Sequence, residues 1–282
     1  MIILPIIGAF MEAVGTILEK KVLKKRSLNC RNYTVFSFLA IIIVMLPFLY
    51  FIWHIKSEAL LLKNILRFAF VIIVAIVANL LIFYSLKRKN ITEFEPAWIM
   101  QPLFTVLLAF IFYQSERNWM IVGLALVASL TLVLAHIRKH HLVFDKYIIA
   151  AVLGSFAFSI ELVASKPILD YYNPFAFYFI RCFFILIITY LIYKPKLKDA
   201  DGRSWMYIFL IGAMWVLYRA IIYYGYEKVG IVFTTTLFIL SPVLMFVFAI
   251  LFLKEKPTLR QIISTIIILV CVVLAILFGK TY

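Results

Sequence analysis

Ten apolar segments of roughly 20 residues follow one another along the whole of this 282-residue chain. At about 1.5 Å of rise per residue, each is long enough to cross the hydrocarbon core of a bilayer as a helix. Only short linkers separate them, so no soluble domain lies between the segments. Because lipid cannot satisfy open backbone, the sequence predicts an all-α integral membrane protein with ten transmembrane helices. The segments lie at about 2–19, 33–54, 65–86, 92–113, 119–137, 147–164, 174–193, 204–226, 231–253 and 259–279.

The net charge of +15 first suggests a nucleic-acid partner, but its distribution indicates a membrane topology instead. Of the 28 lysines and arginines, 19 fall in the odd-numbered linkers and 7 on the opposite face. The positive-inside rule then places the odd-numbered linkers in the cytoplasm and both termini outside. The sequence therefore predicts a multi-pass protein of the cell membrane, with the lipid bilayer as its partner and no nucleic acid.

The first half of the chain recurs in the second half, 140 residues further on. Residues 84–112 align with residues 224–252 without a gap, and six of the 29 positions are identical. Both copies carry a polar residue followed by proline in the middle of a helix, as Gln101-Pro102 and Ser241-Pro242. In membrane chains, paired proline-interrupted segments in corresponding positions of two halves point to a transport site.

Each copy contains five helices, and this odd number forces the second copy to enter the membrane from the opposite side. We therefore predict two inverted five-helix repeats, 1–137 and 138–282, with a site near the midplane between them. Helix contacts inside a membrane use stripes of small residues. Ala151, Ser155 and Ser159 form such a stripe on the sixth helix, and Gly8, Glu12, Gly15 and Glu19 form a mixed small and acidic stripe on the first.

The residues at these positions resemble the drug/metabolite transporter superfamily in its EamA-type ten-helix form. In each copy the third helix ends in an aromatic residue and a small one, the fourth holds a central proline, and a glutamate precedes the fifth. Arg181 also lies where the second helix of a repeat in this family often carries an arginine. The resemblance implies a secondary transporter for a small organic metabolite, with no cofactor and no enzymatic activity. The residues that carry it are Tyr84-Ser85, Gln101-Pro102, Ser115-Glu116, Tyr224-Gly225, Ser241-Pro242 and Lys254-Glu255.

The two prolines are candidate substrate-binding positions. Proline has no N–H, so the carbonyls of Trp98 and Phe238 lose their usual donor. Pro102 and Pro242 each lie about 14–15 Å into their segments, near the midplane. The freed carbonyls could bind substrate or form a hinge. Alternatively, a neighbouring serine, threonine or water satisfies them.

Charged and polar side chains in the third, seventh and eighth helices are the other candidates. Asn79 and Arg219 are equivalent, 140 residues apart, and Arg181 lies about 12 Å into its segment. Charges at such depth normally face a cavity or a partner, and arginine prefers planar anions. The alternative is an ion pair with Glu12 or Glu161 that joins helices. Trp98 and Tyr223 are close to the proline and arginine positions and could stack on a ring-bearing or apolar substrate; the alternative is that they serve only in packing.

Among the acidic residues, Glu12 is the candidate for coupling transport to a proton, because it lies near the midplane. The alternative is permanent pairing with Arg181 or Arg219. Glu161 is expected to be structural, close to Lys166. Glu116 and Glu255 occur at helix ends, where we expect them to stabilise the positive end of the next helix dipole. The three cysteines and the pair His136 and His140 show no metal-binding set, so we predict no metal.

The leading hypothesis is a carrier that moves an amino acid, or a related anionic or zwitterionic solute, by alternating access. Import and export stay open, as does assembly into a homodimer. The alternative is an integral-membrane enzyme acting on a lipid-linked substrate, which would need clustered acids at a membrane face. Asp199 and Asp201 are the nearest approach to such a cluster.

Overall fold

The computed structural model of the protein is predominantly helical in the part of the chain that it describes. These residues are 3–25, 28–89, 94, 97–98, 100–136, 145–241, 244 and 259–279. The helices are α1 Ile3–Leu23, α2 Cys30–Ile52, α3 Leu62–Arg88, α4 Met100–Phe112, α5 Trp119–His136, α6 Lys146–Leu169, α7 Pro174–Tyr193, α8 Gly202–Val229, α9 Ile231–Phe238 and α10 Leu259–Gly279. The predicted all-α fold with ten helices is confirmed. Five of them (α2, α3, α6, α7 and α8) meet the length and hydropathy expected of a membrane span.

Local sequence explains where the helices of the second half begin and end. Asp145 precedes α6, and its carboxylate accepts hydrogen bonds from the backbone N–H groups of Tyr147 and Ile148, both at 3.0 Å. Asn173 likewise accepts from the N–H of Phe175 before α7, whose first residue is Pro174. These contacts satisfy N–H groups that have no partner inside the helix.

The helices pack as a pair of inverted five-helix repeats. In such an arrangement α1–α5 correspond to α6–α10. The contact of α3 with α6 is extensive, and the equivalent contact between α1 and α8 is also present. The equivalent helices also meet each other across the centre, as α2 with α7, α4 with α9 and α5 with α10. This pattern is the one that a twofold relation produces. The predicted boundary between 137 and 138 lies outside the described residues.

Small residues bring the helices of opposite halves close together. A methyl group on Gly154 of α6 would lie only 2.8 Å from the side chain of Ile82 in α3. In the corresponding contact, Gly15 of α1 faces Met214 and Trp215 of α8. These short approaches are what membrane helices need in order to gain van der Waals contact, and they place α1, α3, α6 and α8 around the interior.

Candidate functional site

Two cavities lie between the halves of the molecule, and Trp98 lines both. We call the first the arginine cavity; its walls include Glu19, Asn79, Trp98, Arg181, Trp215 and Arg219. We call the second the Glu12 cavity; its walls include Glu12, Trp98, Gln101, Pro102, Tyr218 and Ser241. The structure thus brings all the described candidates except Tyr223 to the two cavity walls. Pro242 lies outside the described residues.

The two cavities are displaced from each other along the helix axes. On α1, Glu12 and Glu19 are seven residues apart, or about 10 Å of helix rise. On α8, the arginine cavity is lined by Trp215 and Arg219, whereas the Glu12 cavity extends as far as Tyr226. Both helices therefore place the arginine cavity nearer the membrane face that we predict to be cytoplasmic.

Both cavities are narrow in this conformation. Their volumes open to water-sized molecules are about 40 Å³ for the arginine cavity and about 30 Å³ for the Glu12 cavity. A single water needs roughly 10–15 Å³ on this measure, so each has room for only a few waters. In this conformation neither cavity has room for an organic solute.

A single carboxylate holds both interior arginines. Glu161 of α6 is fully buried, and its Oε1 lies 3.0 Å from Nε of Arg181 in α7. Its Oε2 lies 3.5 Å from Nη1 of Arg219 in α8. The hydroxyl of Tyr223 donates a hydrogen bond of 2.9 Å to Oε1. The ion-pair alternative is therefore observed, with Glu161 as the partner, and Tyr223 supports this cluster.

This cluster retains a positive charge and unused donors. Two arginines face one glutamate, so the three charges sum to +1. Neither contact to Glu161 has the geometry of a hydrogen bond, and Nη2 of Arg181 and Nη1 of Arg219 have no hydrogen-bond partner among the described residues. Buried arginine donors are costly when unpaired. Both side chains line the arginine cavity, which makes its wall a favourable site for an anion.

Aromatic rings flank the charged cluster. The guanidinium of Arg219 lies 5.2 Å from the ring centroid of Phe158, within the range of a cation–π contact. Phe158 in turn makes an edge-to-face contact with Trp98 at 5.6 Å. Trp98 therefore connects the arginine wall to the Glu12 cavity, and the space beside the arginines is bounded by apolar rings.

Glu19 supplies a carboxyl group to the wall of the arginine cavity. It is buried, and its Oε1 accepts hydrogen bonds from the hydroxyl of Tyr33 at 3.1 Å and from Nε1 of Trp215 at 2.9 Å. Within the described part of the chain, Glu19 makes no ion pair. It is held in place by two neutral donors.

Glu12 lies in the other cavity, away from the ion pairs of the arginines. Polar groups of Ser241, Tyr218 and Trp98 face its carboxylate, and Arg219 is near enough to interact electrostatically. Its side chain is buried. The pairing of Arg181 and Arg219 with Glu161 leaves Glu12 available for another role.

Hydroxyl groups from α6 bind the backbone around Pro102. Ser155 donates to the carbonyl of Ala97 and Ser159 to that of Gln101, both at 2.9 Å. Thr105 also donates to the carbonyl of Gln101. In the other half, Ser241 donates to the carbonyl of Ala9 in α1 at 3.2 Å. Side-chain hydroxyls next to the prolines thus join each fourth helix to the first helix of the opposite repeat.

A second charged cluster lies at the end of the molecule beyond the Glu12 cavity. The buried carboxylate of Glu116 accepts hydrogen bonds from the N–H groups of Ile231 and Val232, both at 3.0 Å. Lys166 also contacts Glu116. The expectation that Glu116 serves the next helix is wrong, because it binds the N-terminus of α9 in the opposite half. Lys166 pairs with Glu116, and Glu161 pairs with the arginines instead.

Sequence reasoning gave Glu161 and Glu19 too little weight. For Glu161, depth within α6 and the presence of two unexplained arginines were the available signals. For Glu19, the signal was its place seven residues after Glu12 on the same stripe of α1. In the described residues, no three His, Cys, Asp or Glu side chains cluster as a metal site would require.

The acids expected of a membrane enzyme have structural contacts. Asp201 pairs with Lys25 at 2.9 Å, and Asp199 accepts a hydrogen bond from Asn32 at 2.8 Å. Both lie at helix ends on the surface of the molecule. Neither carboxylate faces a cavity described above.

Comparison with known proteins agrees with this geometry. A crystal structure described only as "Crystal structure of protein" superimposes with a TM-score of 0.75 over 98% of this chain and 97% of that chain, at 16% sequence identity. No curated protein sequence matches the chain. The model of the "EamA-like transporter family" matches residues 1–136 and 145–277. The chain is a multi-pass membrane protein, and it belongs to the EamA-like transporter family.

Proposed function

We propose that the protein is a secondary transporter of the cell membrane that moves an anionic or zwitterionic metabolite by alternating access. The observation that carries this proposal is the Glu161–Arg181–Arg219 cluster. It presents to a cavity between the two halves arginine donors that have no hydrogen-bond partner among the described residues. Arginine pairs well with carboxylate and phosphate groups.

The two stacked cavities support alternating access. The arginine cavity lies toward the face that carries Lys20 and Lys21, and the Glu12 cavity toward the face at which Glu116 lies. Rocking one repeat against the other would open each cavity to its own face in turn. Trp98 lines both cavities, so its ring lies between the two.

Proton coupling is the role we propose for Glu12. Its carboxylate is buried beside hydroxyl groups, outside the arginine cluster, and can bind a proton without breaking an ion pair. The charge distribution favours odd-numbered linkers in the cytoplasm and both termini outside. Labelling single introduced cysteines from each side of intact cells would test that orientation.

The transport proposal is testable with purified protein in liposomes. We expect saturable flux with at least one class among amino acids, carboxylates and sugar phosphates, and counterflow, which a simple pore lacks. Arg219→Gln should reduce flux by more than tenfold, because it removes the anion-binding charge. Lys63→Gln, a change of the same charge at an exposed position of α3, is the matched control.

Two results would contradict the proposal. One is the lack of flux and of any ligand-dependent thermal shift across the whole panel. The other is wild-type flux in the Arg219→Gln variant. For coupling, Glu12→Gln should remove the dependence of flux on an imposed pH gradient while counterflow persists; an unchanged dependence would exclude the role of Glu12.

A further inference from the structure

We infer that the headgroups of anionic phospholipids bind a basic surface at one end of the molecule, where the two halves meet. We call this surface the basic seam. Its first side is the turn between α1 and α2, residues 21–25 and 28–32, and its second side is the segment that leads into α8, residues 193–207. None of these residues lines either cavity, so the inference does not depend on the transport proposal.

Polar contacts join the two sides of the basic seam. Lys25, just after α1, pairs with Asp201 at 2.9 Å. Asn32 in α2 donates a hydrogen bond of 2.8 Å to Asp199. The first side belongs to the first repeat and the second side to the second repeat. These contacts therefore make one surface from both halves, and they engage both of its carboxylates.

The basic seam carries a large positive charge. It contains eight lysines and arginines and only two carboxylates, so its net charge is +6. Lys24, Lys198 and Arg203 are exposed and make no ion pair with any residue that the structure describes. Each lysine or arginine beside an anionic membrane strengthens the attraction about fivefold. The eight are Lys21, Lys24, Lys25, Arg31, Lys194, Lys196, Lys198 and Arg203.

A contact across the seam brings cations of both halves to one side of α8. The Nζ atom of Lys21 lies 3.0 Å from the hydroxyl of Tyr207 and 4.7 Å from the centroid of its ring. Arg203 lies four residues before Tyr207, on the same face of the helix. An ammonium and a guanidinium placed in this way can both donate to one phosphate. A bound headgroup would then join α1 to α8.

Apolar side chains continue from the basic seam toward the middle of the membrane. Ile17 lies one helical turn before Lys21 on α1, and Met206 and Leu210 lie about one and two turns after Arg203 on α8. All three apolar side chains are exposed. A basic surface that borders an exposed apolar one matches the phosphate and the acyl chains of a phospholipid. A soluble anion would use only the basic part, so we assign the surface to lipid.

The binding test compares lipids that differ only in headgroup. The purified full-length protein is placed in micelles with equal amounts of phosphatidylglycerol and phosphatidylcholine of identical acyl chains, and retained lipid is counted by native mass spectrometry. We expect about fivefold more phosphatidylglycerol than phosphatidylcholine at low ionic strength. The excess should shrink as salt is raised to about 0.5 M, because salt screens exposed charges.

A triple variant tests whether the basic seam is the site. Lys24→Gln, Lys198→Gln and Arg203→Gln together remove three of its cations without breaking an ion pair of the described structure. We expect this variant to lose most of the excess of phosphatidylglycerol. Its melting temperature in phosphatidylcholine should equal that of the wild type, which shows that the loss does not arise from unfolding.

A second triple variant is the matched control, because it removes the same charge at the opposite end of the molecule. Its three cations lie between the end of α2 and the first turns of α3 and are also exposed. We expect it to retain phosphatidylglycerol as the wild type does. The substitutions are Lys56→Gln, Lys63→Gln and Arg67→Gln.

Three outcomes would overturn the inference. One is equal retention of the two lipids by the wild type. Another is an equal loss in the two triple variants, which would mean that net charge alone attracts the lipid. The third is displacement of phosphatidylglycerol by inorganic phosphate at the same concentration, which would make the surface a general anion site. Since these measurements do not use flux, they leave the transport proposal unaffected.

Discussion

The two halves of the molecule share one packing plan but carry different chemistry at equivalent positions. Asn79 of α3 and Arg219 of α8 correspond to each other, yet Asn79 donates its hydrogen bond of 2.7 Å to the carbonyl of Ala75 in its own helix. Arg219 instead reaches across to Glu161. One turn further on, Phe83 corresponds to Tyr223, which also binds Glu161. The positive cluster belongs entirely to the second half.

The first half contributes acidic side chains instead. Glu12 and Glu19 both lie on α1, one in each cavity. This contrast shows that the helix packing and the candidate site are under different constraints. Inverted repeats need similar helix contacts so that either half can move against the other, whereas a polar solute needs unlike groups at its two ends. We therefore expect the residues that distinguish the proposed substrate to occur where the two repeats differ.

The largest loss of stability is expected in the charged cluster, where the two halves differ most. Glu161→Gln leaves two buried arginines without a countercharge, and breaking a buried ion pair in this way costs about 3–5 kcal/mol. Asn79→Ala removes one neutral hydrogen bond and should cost only about 1 kcal/mol. Reversible unfolding in mixed micelles measures both. Similar losses in the two variants would mean that the charged cluster contributes no more than its counterpart.

The sequence predicted the features that follow from hydrophobic length and from the repeat. Ten helices, their inverted order and the depth of Arg181 and Arg219 require only the apolar pattern and the rise of a helix. Which basic side chain pairs with which glutamate could not be predicted, because it depends on the rotation of each helix about its own axis. Glu161 and Lys166 are five residues apart on α6, yet one faces the arginines and the other faces Glu116.

The next largest loss of stability is expected where the two halves meet at Glu116. Gly230 has a φ of +88°, and a methyl group there would lie 2.8 Å from Oε1 of Glu116. Gly230→Ala should therefore destabilise the protein by about 1–3 kcal/mol. Gly123→Ala in α5 is the matched control, since no atom lies within 4 Å of its added methyl group. That variant should gain up to about 1 kcal/mol from helix propensity.

The hydroxyl contacts beside the prolines should have smaller and similar effects. Ser155→Ala removes a hydrogen bond from α6 to the carbonyl of Ala97, just before α4. Ser241→Ala removes a hydrogen bond from the segment after α9 to the carbonyl of Ala9 in α1. Hydrogen bonds between membrane helices contribute about 0.6 kcal/mol on average. Unfolding measurements should therefore give nearly equal losses for the two variants. A loss several times larger at either site would show that the repeats are not equivalent at their fourth helices.

The smallest effect concerns the starts of the third helices in the two repeats. Leu61 precedes α3 without a side-chain hydrogen bond, whereas Asp201 precedes α8 and binds Ser204 and Lys25. The hydrogen bond from Ser204, with that from Lys25, lowers the pKa of Asp201 to about 2.

Because the folded state favours the charged carboxylate of Asp201, its contribution to stability is present above the ordinary pKa near 3.8 and is lost as pH falls through about 2. The difference in melting temperature between wild type and Asp201→Asn should thus be constant from pH 7 to about pH 5 and shrink toward zero near pH 2. The position is exposed and screened by solvent, so the difference should be small at every pH. If the difference did not change with pH, the ionised carboxylate would have no part in fixing the start of α8.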